Sequence, residues 1–422
     1  MAIESAASPA HATSPAQSST PVPPGQWPAP ARRVDAVDVL RGAVMVLMVL
    51  DHTRDYFGNA AINPTDLSLA NPALFLTRWV THFCAPVFAF LAGTGAYLAG
   101  SRGRSRGDLA AFLATRGLWL IFLELTVVRL GLFFDPISAP LILTVLWSIG
   151  ASFIVLAALV FLPNRLVGAL GILLIATHGL VDRFPLAAGD PAAFQAARAL
   201  LLRPGLVPLP GGINVLVGYP LLPWLGVVTA GYGFGEVIRL EPERRRRVMW
   251  ITGLALTAAF VILRASGIYG EPSPWTTQPT PLLTALSFIN CTKQPPSLIF
   301  VLMTLGPAIA ALAVIDRVGV RDPGVVGIGA SAVVTFGRVP LFYYLLQWYV
   351  IHGLAVLTGL VRGFPIAWQF SPAALAIPPD GWALSLPGIY VAWAVVLAVL
   401  YFPCRWFADV KARHPGGWLS YL

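Results

Sequence analysis

The sequence predicts an all-α fold, a polytopic membrane bundle of about ten transmembrane helices with both termini cytoplasmic. Three observations carry this. Of 422 residues, 57% are hydrophobic and only 11% charged, with a mean hydropathy of +0.73, whereas a soluble domain is about 25% charged. The apolar residues form continuous runs near the ~20 residues a helix needs to cross a bilayer, not the alternating segments of a barrel. The basic residues fall in every second loop, the pattern that cytoplasmic loops follow.

The spans run over residues 37–57, 74–99, 109–132, 139–162, 165–182, 214–238, 247–266, 295–315, 339–361 and 384–406, with a half-helix over 324–338 before the ninth. The basic loops hold Arg32 and Arg33; Arg102, Arg104 and Arg106; Arg165; Arg239 with Arg244 to Arg247; Arg317 and Arg321; and Arg405, Lys411 and Arg413. Residues 1–31 are rich in Ala, Pro and Ser without an apolar core, and read as a disordered tail and not a signal peptide. Residues 32–410 form the transmembrane domain and 411–422 a cytoplasmic tail. The +9 charge lies in topology-setting loops, so membrane lipids are expected partners and nucleic acid is not. Cys84, Cys291 and Cys404 are far apart in sequence and suggest neither a disulfide framework nor a zinc motif. The sequence is compatible with a homo-oligomer.

The first span carries Asp38, Arg41, Asp51, His52, Arg54 and Asp55. Ionisable groups at membrane depth are costly, so they pair, line a cavity or do chemistry. Positions 38, 41, 45, 48, 52 and 55 share one helical face. Asp38 and Arg41 fall near the cytoplasmic end. His52 and Asp55 fall near the outer end, where a carboxylate one turn away can orient the imidazole. The same residues also read as an ion pair at one end and an interfacial charge cluster at the other.

The second span brings Arg78 and His82 to one face, followed by Pro86, Gly93 and Gly95, which permit a kink or close packing. His82 and His52 lie at compatible depths, and His178 and His352 fall in the same half. Together they suggest a polar cavity open to the outside; for His82 the alternative is a hydrogen bond to a neighbouring helix. There is no HExxH and no close His pair, so no metal is expected. Arg41, Arg116 and Arg338, in three different spans, offer bidentate contacts to a phosphorylated cofactor on the cytoplasmic half, or else snorkel to headgroups. Glu124, deep in the third span, requires a partner, with Arg129 and Arg264 as candidates. No P-loop, GxSxG or dinucleotide fingerprint is present in a usable context.

Several segments resemble a known group. Asp38-Val39-Leu40-Arg41-Gly42, followed by Leu50-Asp51-His52-Thr53-Arg54-Asp55-Tyr56-Phe57, is similar to the opening of bacterial membrane proteins related to the heparan-α-glucosaminide N-acetyltransferase catalytic domain. Thr81-His82-Phe83-Cys84-Ala85-Pro86, Tyr219-Pro220-Leu221-Leu222-Pro223-Trp224, Lys293-Gln294-Pro295-Pro296-Ser297 and Phe336-Gly337-Arg338-Val339-Pro340 fit the same group. The resemblance covers roughly residues 32 to 410. In the wider acyltransferase superfamily a Leu-Arg-Gly start precedes a His, matching Leu40-Arg41-Gly42 and His52, and a basic residue opens the third span, matching Arg116.

The resemblance implies a multi-pass acyltransferase of a bacterial cytoplasmic membrane. It would take an acyl group, acetyl in the simplest case, from cytoplasmic acyl-CoA to a hydroxyl or amine of an outer sugar or glycolipid. Arg41, Arg116 and Arg338 would hold the donor phosphates. His52, oriented by Asp55 or Asp51, would be the general base, with an acyl-histidine as a variant. His82 and Arg78 would assist, and Asn290 and Lys293 would contact the acceptor. In the animal heparan enzyme the proposed catalytic His follows the first span, but residues 58–73 here contain none, so either the role falls to His52 or His82, or the chemistry is not shared. The rival reading is a transporter or flippase of a polar small molecule or lipid, whose charges bind without reacting; the lack of an internal repeat argues against it.

Overall fold

The computed structural model describes residues 35–135, 140–183, 190–211, 213–318, 328–371, 375 and 378–414. The predicted tail over 1–31 and residues 415–422 lie outside these. In chain order come α1 (Asp35–Phe57), α2 (Pro72–Thr81), α3 (Cys84–Gly100), α4 (Arg106–Leu123), α5 (Arg129–Phe133), β1 (Leu141–Leu143), α6 (Val145–Leu159), α7 (Asn164–Thr177) and α8 (Ala192–Leu201). Then follow β2 (Gly205–Pro208), β3 (Asn214–Val217), α9 (Leu221–Ile238), α10 (Pro242–Ser266), α11 (Pro281–Ile289), α12 (Leu298–Val318), α13 (Ile328–Arg338), α14 (Pro340–Arg362) and α15 (Leu386–Arg413).

Each predicted span coincides with a helix, so the protein is an all-α multi-pass membrane bundle. Among the described residues eight helices are long and apolar enough to cross a membrane. α1 carries too much charge to join that class, and α6 is shorter. The predicted half-helix is α13. The outward faces of α10 and α15 expose Ile251, Ile262, Val391 and Phe402, as helices apolar all round do in a bilayer.

Two spans are broken, each beside a polar residue. The second splits into α2 and α3 at His82 and Phe83. Pro86 has no N–H for the His82 carbonyl, and its ring would clash with that group in a continuous helix. The third passes through one π-helical turn, Glu124–Val128, between α4 and α5. Glu124, 1% exposed, pairs with neither Arg129 nor Arg264. It accepts from the backbone N–H of Thr144 at 2.9 Å and of Leu146 at 3.2 Å, and from the Thr144 hydroxyl. It thus satisfies the open donors at the start of α6, where the helix dipole favours negative charge. Arg264 donates instead to the carbonyls of Ser287, Phe288 and Asn290 at 2.7–3.0 Å, closing the end of α11.

Residues assigned to the fourth and sixth spans at 140–144 and 214–220 correct the sequence reading. β1 pairs parallel with β3, and β2 pairs antiparallel with it. Buried Val215 and Val217 alternate with exposed Asn214 and Leu216, the period-two pattern of a strand. The strands are three or four residues long, too short to stand out from adjacent apolar helices.

α1 is the axis of the site, packed against α2, α3, α12, α13, α14 and α15. Its approach to α13 is backbone on backbone: a Cβ on Gly42 would overlap the Val333 carbonyl, and one on Gly337 the Asp38 carbonyl. At its other end the Tyr56 carbonyl accepts from Trp382 Nε1 and the Phe57 carbonyl from the Leu384 N–H, both at 2.8 Å. These bonds satisfy helix-terminal acceptors and fix the turn that carries His52.

Candidate functional site

Two adjoining cavities meet at the His52 end of α1. The larger, about 920 Å³, is the more polar and is lined by Arg54, Asp55, Arg78, His82, Asn290 and Lys293 among others. The smaller, about 320 Å³, runs past Asp51 and His52 between apolar walls that include Met48, Phe88, Tyr344 and Trp348. Asp55, Arg78, Lys293, Gln294 and Leu375 line both. α1, the α2–α3 break, the segment before α12 and α14 each contribute a wall.

Asp51 is the hub of the charges. It is 7% exposed. Arg54 Nη2 donates to its Oδ1 at 2.9 Å, Arg78 Nη1 to its Oδ2, and Lys293 Nζ stands 3.9 Å from Oδ2. One buried carboxylate thereby joins three elements, and its desolvation is offset by three cations. Asp55, with its side chain 41% exposed, accepts from Arg54 at 2.7 Å. The structure thus places Asp55 on Arg54 and not on His52.

His52 is held by packing. Its ring stacks on Trp348 with centroids 4.0 Å apart and planes at 24°. Its Nδ1 is enclosed without a hydrogen-bond partner, which leaves Nε2 as the nitrogen with access to the cavity. His82, 2% exposed, meets Phe300 edge-on at 5.4 Å, and its Nδ1 is likewise unpartnered. Gln294 Oε1 and Trp348 Nε1 are in the same state. Buried polar atoms are normally satisfied, so their clustering around two cavities makes this the candidate binding site.

Lys293 belongs to a braced segment. Glu271 accepts from the Thr292 N–H at 3.1 Å, the Thr292 hydroxyl at 2.5 Å and the Ser297 hydroxyl at 2.6 Å. Asn290 Nδ2 donates to the Thr65 carbonyl at 2.9 Å, tying the segment to the loop after α1. Burial, with the Arg78 guanidinium alongside, pushes the Lys293 ammonium down to about 8, against the opposing pull of Asp51. Sequence reasoning did not assign Glu271 or Asp51's hub role; a lone acid in a Pro- and Ser-rich loop was the available signal.

The other predicted residues lie elsewhere. His352 has Nδ1 3.0 Å from the Gly131 carbonyl and Nε2 2.9 Å from the Gln369 carbonyl, with Phe134 stacked on it. His178 Nδ1 contacts the Leu174 carbonyl one turn back. Neither lines the two cavities, so the expected four-histidine cavity reduces to His52 and His82. Arg41 donates to Asp38 at 3.0 Å and to the Gly337 carbonyl at 3.2 Å, beside the exposed Arg338. Arg116 sits over Phe112, 5.9 Å from the ring centroid, on α4. None of these three arginines lines either cavity. Among the described residues no group of three or more His, Cys, Asp or Glu is placed to hold a metal ion.

The family model described as heparan-alpha-glucosaminide N-acetyltransferase, catalytic, matches residues 33–268. No curated protein matches the chain. The matched segment runs from α1 through α10 and includes Asp51, His52, Arg78 and His82, while Lys293 and Trp348 come from beyond it. Since more than half of the chain is matched, the protein belongs to the heparan-alpha-glucosaminide N-acetyltransferase catalytic-domain family.

Proposed function

We propose that the protein is a transmembrane acyltransferase that uses cytoplasmic acyl-CoA, acetyl-CoA in the simplest case. The acceptor is a hydroxyl or amine of a sugar or glycolipid on the opposite side. The observation that carries this is the position of His52. Its ring stands in the narrow, mostly apolar cavity, next to the five residues that this cavity shares with the larger, more polar one. Such an arrangement suits a thioester arriving through the narrow space and a polar acceptor entering the wide one. The donor's phosphates would stay at the far end of α1, where Arg41 and Arg338 adjoin, about 16 Å along the helix from His52.

In this reading the acceptor oxygen or nitrogen attacks the thioester carbonyl while its proton passes to His52 Nε2. The tetrahedral intermediate then collapses and the C–S bond breaks. His52 returns the proton to the departing thiolate, and CoA leaves as the thiol. Proton transfer of this kind contributes about 10²–10⁴-fold. Lys293, the cation farthest from Asp51 in the cluster, is free to lean toward the developing oxyanion. His82, across the larger cavity, contacts the acceptor, as does Asn290.

Binding of acetyl-CoA by the purified protein in detergent tests the reading. The expected result is a rise in unfolding temperature with ligand concentration, weakened by Arg41→Ala. No binding of acetyl-CoA, together with CoA-independent uptake of a labelled solute into proteoliposomes, would replace the enzyme with a transporter.

A further inference from the structure

α14 holds a buried side chain with no role so far. Gln347 is 0% exposed, and neither its Oε1 nor its Nε2 has a hydrogen-bond partner. A buried amide in that state destabilises a fold, so its presence needs another reason. Across the α1–α14 contact lies His52, whose Nδ1 is also enclosed and unpartnered. The two side chains lie within interaction range without closing a hydrogen bond. Trp348, the next residue, supplies the surface on which the His52 ring rests.

A neutral imidazole that accepts a proton at Nε2 carries its own hydrogen on Nδ1. The charged groups around His52 are Asp51, Arg78 and Lys293. Asp51 is engaged by Arg54 and Arg78, and Arg78 and the Lys293 ammonium have no acceptor atom to offer. We infer that Gln347 is the positioning residue of His52: its amide oxygen accepts the Nδ1 hydrogen and holds Nε2 bare toward the cavity. The inference rests on the reading of His52 as the base. Gln347 lies outside the family-matched segment, so this support comes from the other half of the chain.

Gln347→Leu and Gln347→Glu, compared with wild type and His52→Ala in acyl transfer, test it. Leu keeps the volume and removes the acceptor, and Glu keeps an acceptor. Gln347→Leu is expected to lower kcat by about 10²-fold, with KM for donor and acceptor unchanged and the unfolding temperature equal or higher. Gln347→Glu restores most of kcat. In ¹⁵N-histidine-labelled wild type, His52 shows hydrogen on Nδ1 and a bare Nε2. Wild-type kcat in Gln347→Leu, or the opposite tautomer in wild type, overturns the inference. So does a raised KM with a lowered unfolding temperature in both variants. If Gln347→Leu is normal and His52→Ala is inactive, the positioning role alone fails. If His52→Ala turns over normally, the base assignment itself fails.

Discussion

The two ends of α1 are built from similar residues and arrive at opposite states. At one end Asp38 and Arg41 pair at 3.0 Å, Arg41 also reaches the Gly337 carbonyl, and α13 packs against the helix backbone. At the other, Asp51 gathers three cations beside open space, and His52, His82 and Gln294 keep unpartnered polar atoms. The first arrangement is closed by packing. The second borders two cavities. Charge at membrane depth therefore does not identify a site by itself. What separates the two ends is unsatisfied hydrogen-bonding capacity next to a cavity.

Substitutions at the open end should break this contrast most sharply. His52→Ala is expected to lower kcat by about 10²–10⁴-fold, the usual contribution of a general base, with the unfolding temperature near wild type. The paired experiment at the closed end, Arg41→Ala, should raise KM for the donor and leave kcat within a few-fold; steady-state kinetics with varied acetyl-CoA separates the two.

Asp51→Ala comes next and is chiefly a stability effect. It leaves Arg54, Arg78 and Lys293 facing one another in a buried space, and removing one partner of a buried ion cluster costs about 3–5 kcal/mol. Asp55→Asn provides the smallest effect and the sharpest contrast. Its half-exposed pair with Arg54 is worth about 0–1 kcal/mol, so both stability and turnover should change little. A large loss of kcat with Asp55→Asn would return the orienting role to Asp55.

Lys293 gives a pH test of intermediate size. Its ammonium is held down to about 8, below the ordinary lysine value near 10.4. Between those pH values the unfolded chain binds the proton that the folded chain has lost, so stability rises with pH across that window. Unfolding temperatures recorded from pH 7.5 to 10 should show the rise in wild type, and Lys293→Met should remove that contribution. If the cation aids the oxyanion, turnover falls as pH passes 8, and Lys293→Arg abolishes that limb.

The spans were legible because continuous apolar runs and alternating basic loops are both properties of single segments. Depth along a helix and position in a loop are equally readable, which is why Arg78 and Lys293 line the cavity of His52, and His82 and Asn290 the one adjoining it. Pairing was less readable. Asp51 and Asp55 are both close to His52 in sequence, and only the approach of α2 and the segment before α12 makes Asp51 the hub. Glu124 was expected to meet an arginine, but an incoming helix start satisfied it, a partner with no side-chain signature. Gln347 carried no pattern within an apolar run, and its meaning depends on α14 lying against α1. The short strands were lost inside longer hydrophobic stretches.

The proposed place of acyl transfer is the open end of α1, with His52 as the base. Release of CoA from acetyl-CoA, measured on purified wild type and His52→Ala with a panel of hydroxyl- and amine-bearing sugars, tests it most directly. The expected result is acceptor-dependent release by wild type and a loss of about 10²-fold or more in the variant, with donor binding retained. Equal release by the two proteins would contradict it.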